Sequence, residues 1–214
     1  MDFLRHHWYD LGLIPGFLTL YYMRVNYRTL TQAQEYLILN FFALTCHQFE
    51  EYRFPGGFPA IMNGIVQKSP TPDRWPLNSN SSMLINTFTT YCIYFPVIFM
   101  PDQTILGLVS VIFGFQQFVI HAININKAAG TIYTPGLTTV LLGFIPNGVK
   151  YIQHCHAAGR LGIREFLIGF VSAVSFGYLI LNKVTFTWLP DSNSPYPFSA
   201  SELSRFGARL AGIA

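Results

Sequence analysis

The sequence predicts an all-α fold: a polytopic membrane helix bundle of about five to six transmembrane helices with a C-terminal amphipathic interfacial helix. Two observations predict it. The 214 residues are 51% hydrophobic and only 11% charged, against roughly 25% charge in an ordinary soluble domain. Mostly apolar runs recur along the whole length, each long enough to cross a hydrocarbon core of about 30 Å as a helix.

Six segments follow in order. The first, 8–25, carries Asp10 and the Pro15-Gly16 pair, and reads as a kinked span or a re-entrant segment. The second, 31–52, begins at the Thr29/Thr31 capping region and stops before Pro55-Gly56-Gly57. A short apolar piece, Phe58 to Val66, leads into a polar connection rich in Pro, Ser and Asn at 68–82. The third span covers 83–100, the fourth 104–125, the fifth 135–152 and the sixth 164–183. No internal repeat is visible, so residues 1–198 form one transmembrane domain. In the tail, 199–214, Ser199-Ala-Ser-Glu202 matches a capping box. Leu203, Phe206, Leu210 and Ile213 then recur at helical spacing opposite Arg205 and Arg209. This tail is expected to lie on the membrane surface as one amphipathic helix, or to dock on a partner.

Composition also limits function. The N-terminus lacks the compact apolar region and small-residue cleavage site of a signal peptide. The net charge is +3 with no basic cluster suited to nucleic acid; the expected surroundings are membrane lipids. Cys46, Cys92 and Cys155 are scattered and odd in number, which suits small core residues rather than a disulfide framework.

One stretch breaks local rules. His47-Gln-Phe-Glu50-Glu51 closes the second span, and spacings of three and four place the three titratable side chains within an arc of roughly 100° on one helix face. Two adjacent anions at a helix C-terminus oppose the macrodipole, and they follow an apolar run. Such a conflict without structural gain points to function.

Alternation of spans fixes what shares their side of the membrane. The ends of the second and fourth spans and the starts of the third and fifth lie together. That gathers His47, Glu50 and Glu51 with Asn86, Gln116, Gln117, His121 and the Tyr133-Thr-Pro-Gly136 stretch. His6, His7 and Asp10 join them if the first segment crosses. Eight Lys and Arg residues fall on this side and five on the other, so the positive-inside rule makes the motif side cytoplasmic.

The candidate catalytic residues are therefore His47, Glu50, Glu51 and His121, and the same four are candidate ligands for a divalent metal. Imidazole nitrogen with carboxylate oxygen suits Zn, Fe or Mn, and side chains from facing helices build metal sites in bundles. A dinuclear centre lacks ligands unless His6, His7 or Asp10 contribute. A metal-free reading stands beside it: paired carboxylates in a dehydrated pocket leave one protonated as a general acid, with His47 or His121 as base. A structural reading makes Glu50, Glu51 and Arg53 an ion-pair network that ends the helix. Asn86, Gln116, Gln117 and Tyr133 are expected to orient the imidazoles, because neutral amides are poor ligands but fix a tautomer well. Thr134 and Pro135 read as N-cap and first residue of the fifth helix, and His154-Cys-His156 as an interfacial loop on the opposite side.

At these motifs the chain resembles the HXXEE-motif family of uncharacterised bacterial integral membrane proteins. His47, Glu50 and Glu51 match its first element, and Tyr133, Pro135, Gly136 and Thr139 match a Tyr-x-Pro-Gly-x-x-Thr element. Between them, Gln116-Gln117-Phe-Val-Ile-His121 departs from Asn-Ala-x-x-x-His by glutamine at both leading positions. The resemblance covers about 40–145. It implies a multi-span fold in a bacterial inner membrane with an active site at the motifs, and it supplies no substrate. The leading expectation is an integral membrane enzyme acting on a lipid or hydrophobic small molecule through a His/Glu/Glu/His site. The alternatives are a non-catalytic subunit of a larger membrane complex, with a histidine ligating haem or pigment, and a proton-coupled transporter.

Overall fold

In a computed structural model, residues 1–212 are described, without the side chains of Ala208 and Ala211; the Ile213 of the expected tail helix lies outside them. All regular structure among the described residues is helical.

Helix α1, Asp2–Asn26, runs through Pro15 without a break. Pro15 forgoes one backbone hydrogen bond, while Gly16 lets α1 close onto Thr45, since a Cβ there would collide with that side chain. The pair marks a helix–helix contact, and the unbroken helix replaces the re-entrant alternative. Helix α2, Gln32–Tyr52, starts at a reciprocal capping box between Thr31 and Gln34. It is the central element and packs against α1 and the helices below.

Helix α3, 58–66, starts at Gly57, whose φ of 91° needs a glycine. Fully buried Asn63 donates to the carbonyls of Pro72 and Leu77 and accepts the Leu77 N–H, which fastens the polar 68–82 connection to the bundle. Helix α4, 79–97, begins four residues earlier than expected because Asn78 caps it. Helix α5 is Thr104–Ala129 and α7 is Ile163–Trp188; these two are long and apolar enough to cross a membrane. Helix α6, 137–157, lies between them in sequence and packs on α2 and α5. His154 and His156 belong to its last turn rather than to a loop, and Cys155 between them is fully buried.

Both α4 and α6 widen to i→i+5 turns just before a proline, at 89–94 ahead of Pro96 and 140–144 ahead of Pro146. Proline lacks the N–H that a regular turn needs, and a wider turn re-satisfies neighbouring carbonyls. The outer faces are apolar: Phe17 and Leu18 on α1, Leu142 on α6 and Val171 on α7 are all more than half exposed. Large apolar side chains turned outward on several helices suit lipid contact and support, with α5 and α7, a membrane location.

Inside, one apolar cluster joins Leu37, Phe41, Leu108, Ile112 and Phe144. A second, at the motif end, joins Trp8, Tyr9, Tyr52, Phe58 and Ile61. The tail belongs to this second cluster. It forms two short helices, α8 (Ala200–Leu203) and α9 (Phe206–Ala211), rather than one. Glu202 caps α8 through Ser199, and is itself buried against His6 and Tyr9. Between the two helices Arg205 turns inward to the Tyr52 carbonyl, and the Gly207 N–H reaches the Gly56 carbonyl. The tail is docked on its own chain: a buried carboxylate and an inward arginine need partners that a bare membrane surface does not offer.

Candidate metal centre

The site forms where the end of α2, the late part of α5 and the start of α6 meet. His47 and Glu51 stand one turn apart on α2, and His121 lies in the widened 119–125 segment of α5. Such wide turns often mark functional positions. One ligand atom from each of His47, Glu51 and His121 lies within 4.8 Å of the others. Glu51 Oε1 is 3.2 Å from His121 Nε2 and 3.7 Å from His47 Nε2. The two rings meet edge to face at 5.0 Å between centroids.

Glu50 has a different task. Its Oε1 accepts the Tyr133 hydroxyl at 2.9 Å and the Thr138 N–H at 3.0 Å. Its Oε2 accepts the Thr139 N–H and hydroxyl, both at 2.8 Å. These amides belong to the first turn of α6, so a carboxylate from α2 acts as its cap from across the bundle, where the helix dipole favours an anion. With four donors taken, Glu50 stands outside the cluster, which corrects its assignment as a fourth ligand. Thr134 is not the cap either: its hydroxyl donates to Asn126 Oδ1 at 2.8 Å, and α6 starts after Gly136. Outside the membrane-spanning segments, burial and the nearby Glu50 carboxylate push the Tyr133 phenol up to about 12, so it stays a donor to Glu50 through the physiological range.

Glu50 also fixes the first ligand. The Thr139 hydroxyl has one hydrogen, with Glu50 Oε2 at 2.8 Å and the Gly136 carbonyl at 3.0 Å as its acceptors, so its oxygen is left to accept. His47 Nδ1 lies 3.0 Å from that oxygen and 3.0 Å from the Gly136 carbonyl. Both are acceptors there, which assigns the proton to Nδ1 and frees the Nε2 lone pair toward Glu51 and His121. Gly136 has φ of 104°, and a Cβ on it would stand 2.5 Å from His121 Cε1 and 2.8 Å from His47 Cε1. Both counts demand glycine. We expect Glu50→Gln, which turns an acceptor into an NH₂ facing backbone donors, to weaken metal affinity about 10 to 100-fold with the helical content retained; titration with Zn²⁺ against a chelating dye checks it.

His121 carries the strongest sign of a missing partner. It is fully buried, and neither ring nitrogen makes a well-aligned hydrogen bond among the described residues, although Glu51 Oε1 lies 3.2 Å from Nε2. An unpaired buried imidazole is costly. A divalent ion fits: bonds of about 2.0–2.1 Å at tetrahedral angles set ligand atoms roughly 3.4 Å apart, and the two carboxylate–imidazole distances straddle that spacing. Two imidazoles and one carboxylate match catalytic Zn or mononuclear Fe(II). This is the one such group among the described residues.

The remaining predicted residues find partners elsewhere or line the adjacent cavity. Asn86 donates to the Ser82 carbonyl and accepts from Gln48, which also bonds Thr90; neither imidazole is within its bonds. Gln116 donates to the Ala173 carbonyl at 3.0 Å, tying α5 to α7, and Gln117 lines the adjacent cavity. His6 pairs with Glu202, His7 with Asp10, and Asp10 with Arg53, so none completes a second metal position. On the opposite end, His154 and His156 bond Arg160 and the Leu161 carbonyl.

Sequence reasoning missed Thr139 and Gly136 as working parts of the site, although both belong to the Tyr-x-Pro-Gly-x-x-Thr element. It also missed Tyr52 and Phe58. Phe58 tilts against His121 at 5.7 Å, and Tyr52 and Phe58 line the cavity beside the triad. That cavity, of about 600 Å³, reaches from His47 and Glu51 to the α5–α7 interface at Ile120, Val174 and Leu181.

The fold and site define a class: an all-α bundle with apolar outer faces and a buried His/Glu/His cluster able to coordinate a divalent ion. The chain belongs to the family described as proteins of unknown function with an HXXEE motif, whose profile matches residues 38–151. Neither a curated protein nor a solved structure matches it.

Proposed function

We propose that this chain is an integral membrane enzyme, metal-dependent, acting on a lipid or other hydrophobic small molecule that reaches His47, Glu51 and His121 through the apolar cavity. The observation that carries it is the meeting of the polar cluster with that cavity: His47 and Glu51 belong to both. A concave, largely apolar pocket with a few convergent polar groups is where small-molecule chemistry is expected. Helices α1, α2, α4 and α6 are read as further spans beside α5 and α7. The motif end is read as facing the cytoplasm of a bacterial inner membrane, a reading that its excess of basic residues supports.

Bound there, a divalent ion supplies Lewis-acid polarisation of a substrate oxygen. The chain supplies the rest. His47 is held in one tautomer by Thr139 and Gly136, and Glu51 faces both the imidazoles and the cavity, so its carboxylate is placed to exchange a proton with a polar group lodged there. Phe58 and Tyr52 line that end with aromatic rings. A haem or pigment on His121 finds no support in the enclosure of its ring by His47, Phe58, Glu51 and Gly136, which leaves no flat cleft.

Detergent-purified, Zn²⁺-supplied protein incubated with bacterial lipid extract tests the reading by mass spectrometry of substrate loss and product gain. A lipid converted by the wild type and spared by His121→Ala is expected. Identical extracts after incubation with the two proteins would overturn it.

A further inference from the structure

Resting on the enzyme reading above, the chemistry of the cavity wall narrows the substrate. We infer that the site takes an uncharged amphiphile, one apolar chain carrying a neutral hydrogen-bonding head such as an ester, amide or polyol, which enters sideways between α5 and α7. Among the described residues no lysine or arginine lines the cavity. Its polar wall is instead a set of neutral amides, Gln67, Asn86, Gln116, Gln117, Asn124 and Asn182, with Glu51 the one carboxylate. A phosphate or carboxylate head would lose its water without gaining a cation, and an unpaired ion in such surroundings costs several kcal/mol.

A bound divalent ion does not reverse this. Glu51, the one carboxylate of the cluster, offsets one of the ion's two charges, and the remaining charge would lie at the His47/Glu51 end, away from the amide-lined wall where a head meets no lysine or arginine. A cationic head fares no better, since the only carboxylate it meets already faces two imidazoles. The path follows from the walls: Val119 and Ile120 belong to α5, and Val174 and Leu181 to α7, the two helices with the clearest membrane-spanning character. The volume of about 600 Å³ lies within the range of roughly 300–1,000 Å³ that holds one small ligand.

Photo-crosslinking in phosphatidylcholine nanodiscs tests this. Four diazirine probes share one C18 chain and differ in the head: monoacylglycerol, fatty acid, lysophosphatidate and alkylamine. Peptides bearing Ile120, Val174 and Leu181 should be labelled by the monoacylglycerol probe on the order of 100-fold more than by the charged three. Excess unlabelled monoolein and the cavity-filling Val174→Phe should each suppress that labelling. His121→Ala should leave it in place, because the chain-binding wall does not include His121; loss of the metal with retained labelling separates this inference from the enzyme reading. Equal labelling by all four probes, or preference for any charged head, would overturn it. So would neutral-probe labelling confined to the outer face of α1.

Discussion

Replacement of Gly136 by alanine is expected to cost stability and metal together. A non-glycine residue at positive φ costs about 1–2 kcal/mol, and the added methyl meets the Cε1 atoms of both His47 and His121. Forcing extra volume into a packed site costs roughly 1–3 kcal/mol more, and here the displaced groups are the ligands. A lowered melting temperature with Zn²⁺ affinity reduced by more than about 100-fold is the expected pair. Retention of both would show that this backbone does not press on the imidazoles.

The second large effect is separable from stability. Glu51→Gln and His121→Ala each remove one donor of three, and with only two left the affinity should fall beyond the about 10 to 100-fold loss seen when supporting groups are removed. The helical fold should persist, because the two apolar clusters and the α5–α7 contact do not depend on the site. Asn86→Leu is the matched control: it breaks bonds to Gln48 and Ser82 and none to a histidine, so metal content should stay at the wild-type level. Collapse of the fold in both ligand variants would favour a purely structural role for the cluster.

The helical class and the placement of most helices were legible because apolar length is a signal that survives in a single sequence. So was the gathering of His47, Glu51 and His121, which needs only an even number of crossings between them. Glu50 shows where reading stopped. Its neighbour points into the cluster while Glu50 points at the α6 start, and a shared helix face cannot separate two adjacent carboxylates when the deciding partner is 89 residues away at Thr139. Gly136 was visible as part of a motif, yet its reason, two imidazole edges against its Cα, is a tertiary fact. Pro15-Gly16 looked like a break because local propensity favours one; packing against Thr45 prevailed. The tail's periodicity was sound, but its direction depended on Glu202 finding His6 and Tyr9, a pairing across nearly the whole chain.

Elemental analysis of the detergent-purified wild type, after dialysis with limiting Zn²⁺, Fe²⁺ and Mn²⁺, tests the central claim most directly. A single divalent ion per chain, absent from His121→Ala prepared alongside it, is the predicted result. A folded wild type that retains no ion from any of the three, or one that holds the same amount with His121 removed, would contradict a metal centre built from His47, Glu51 and His121.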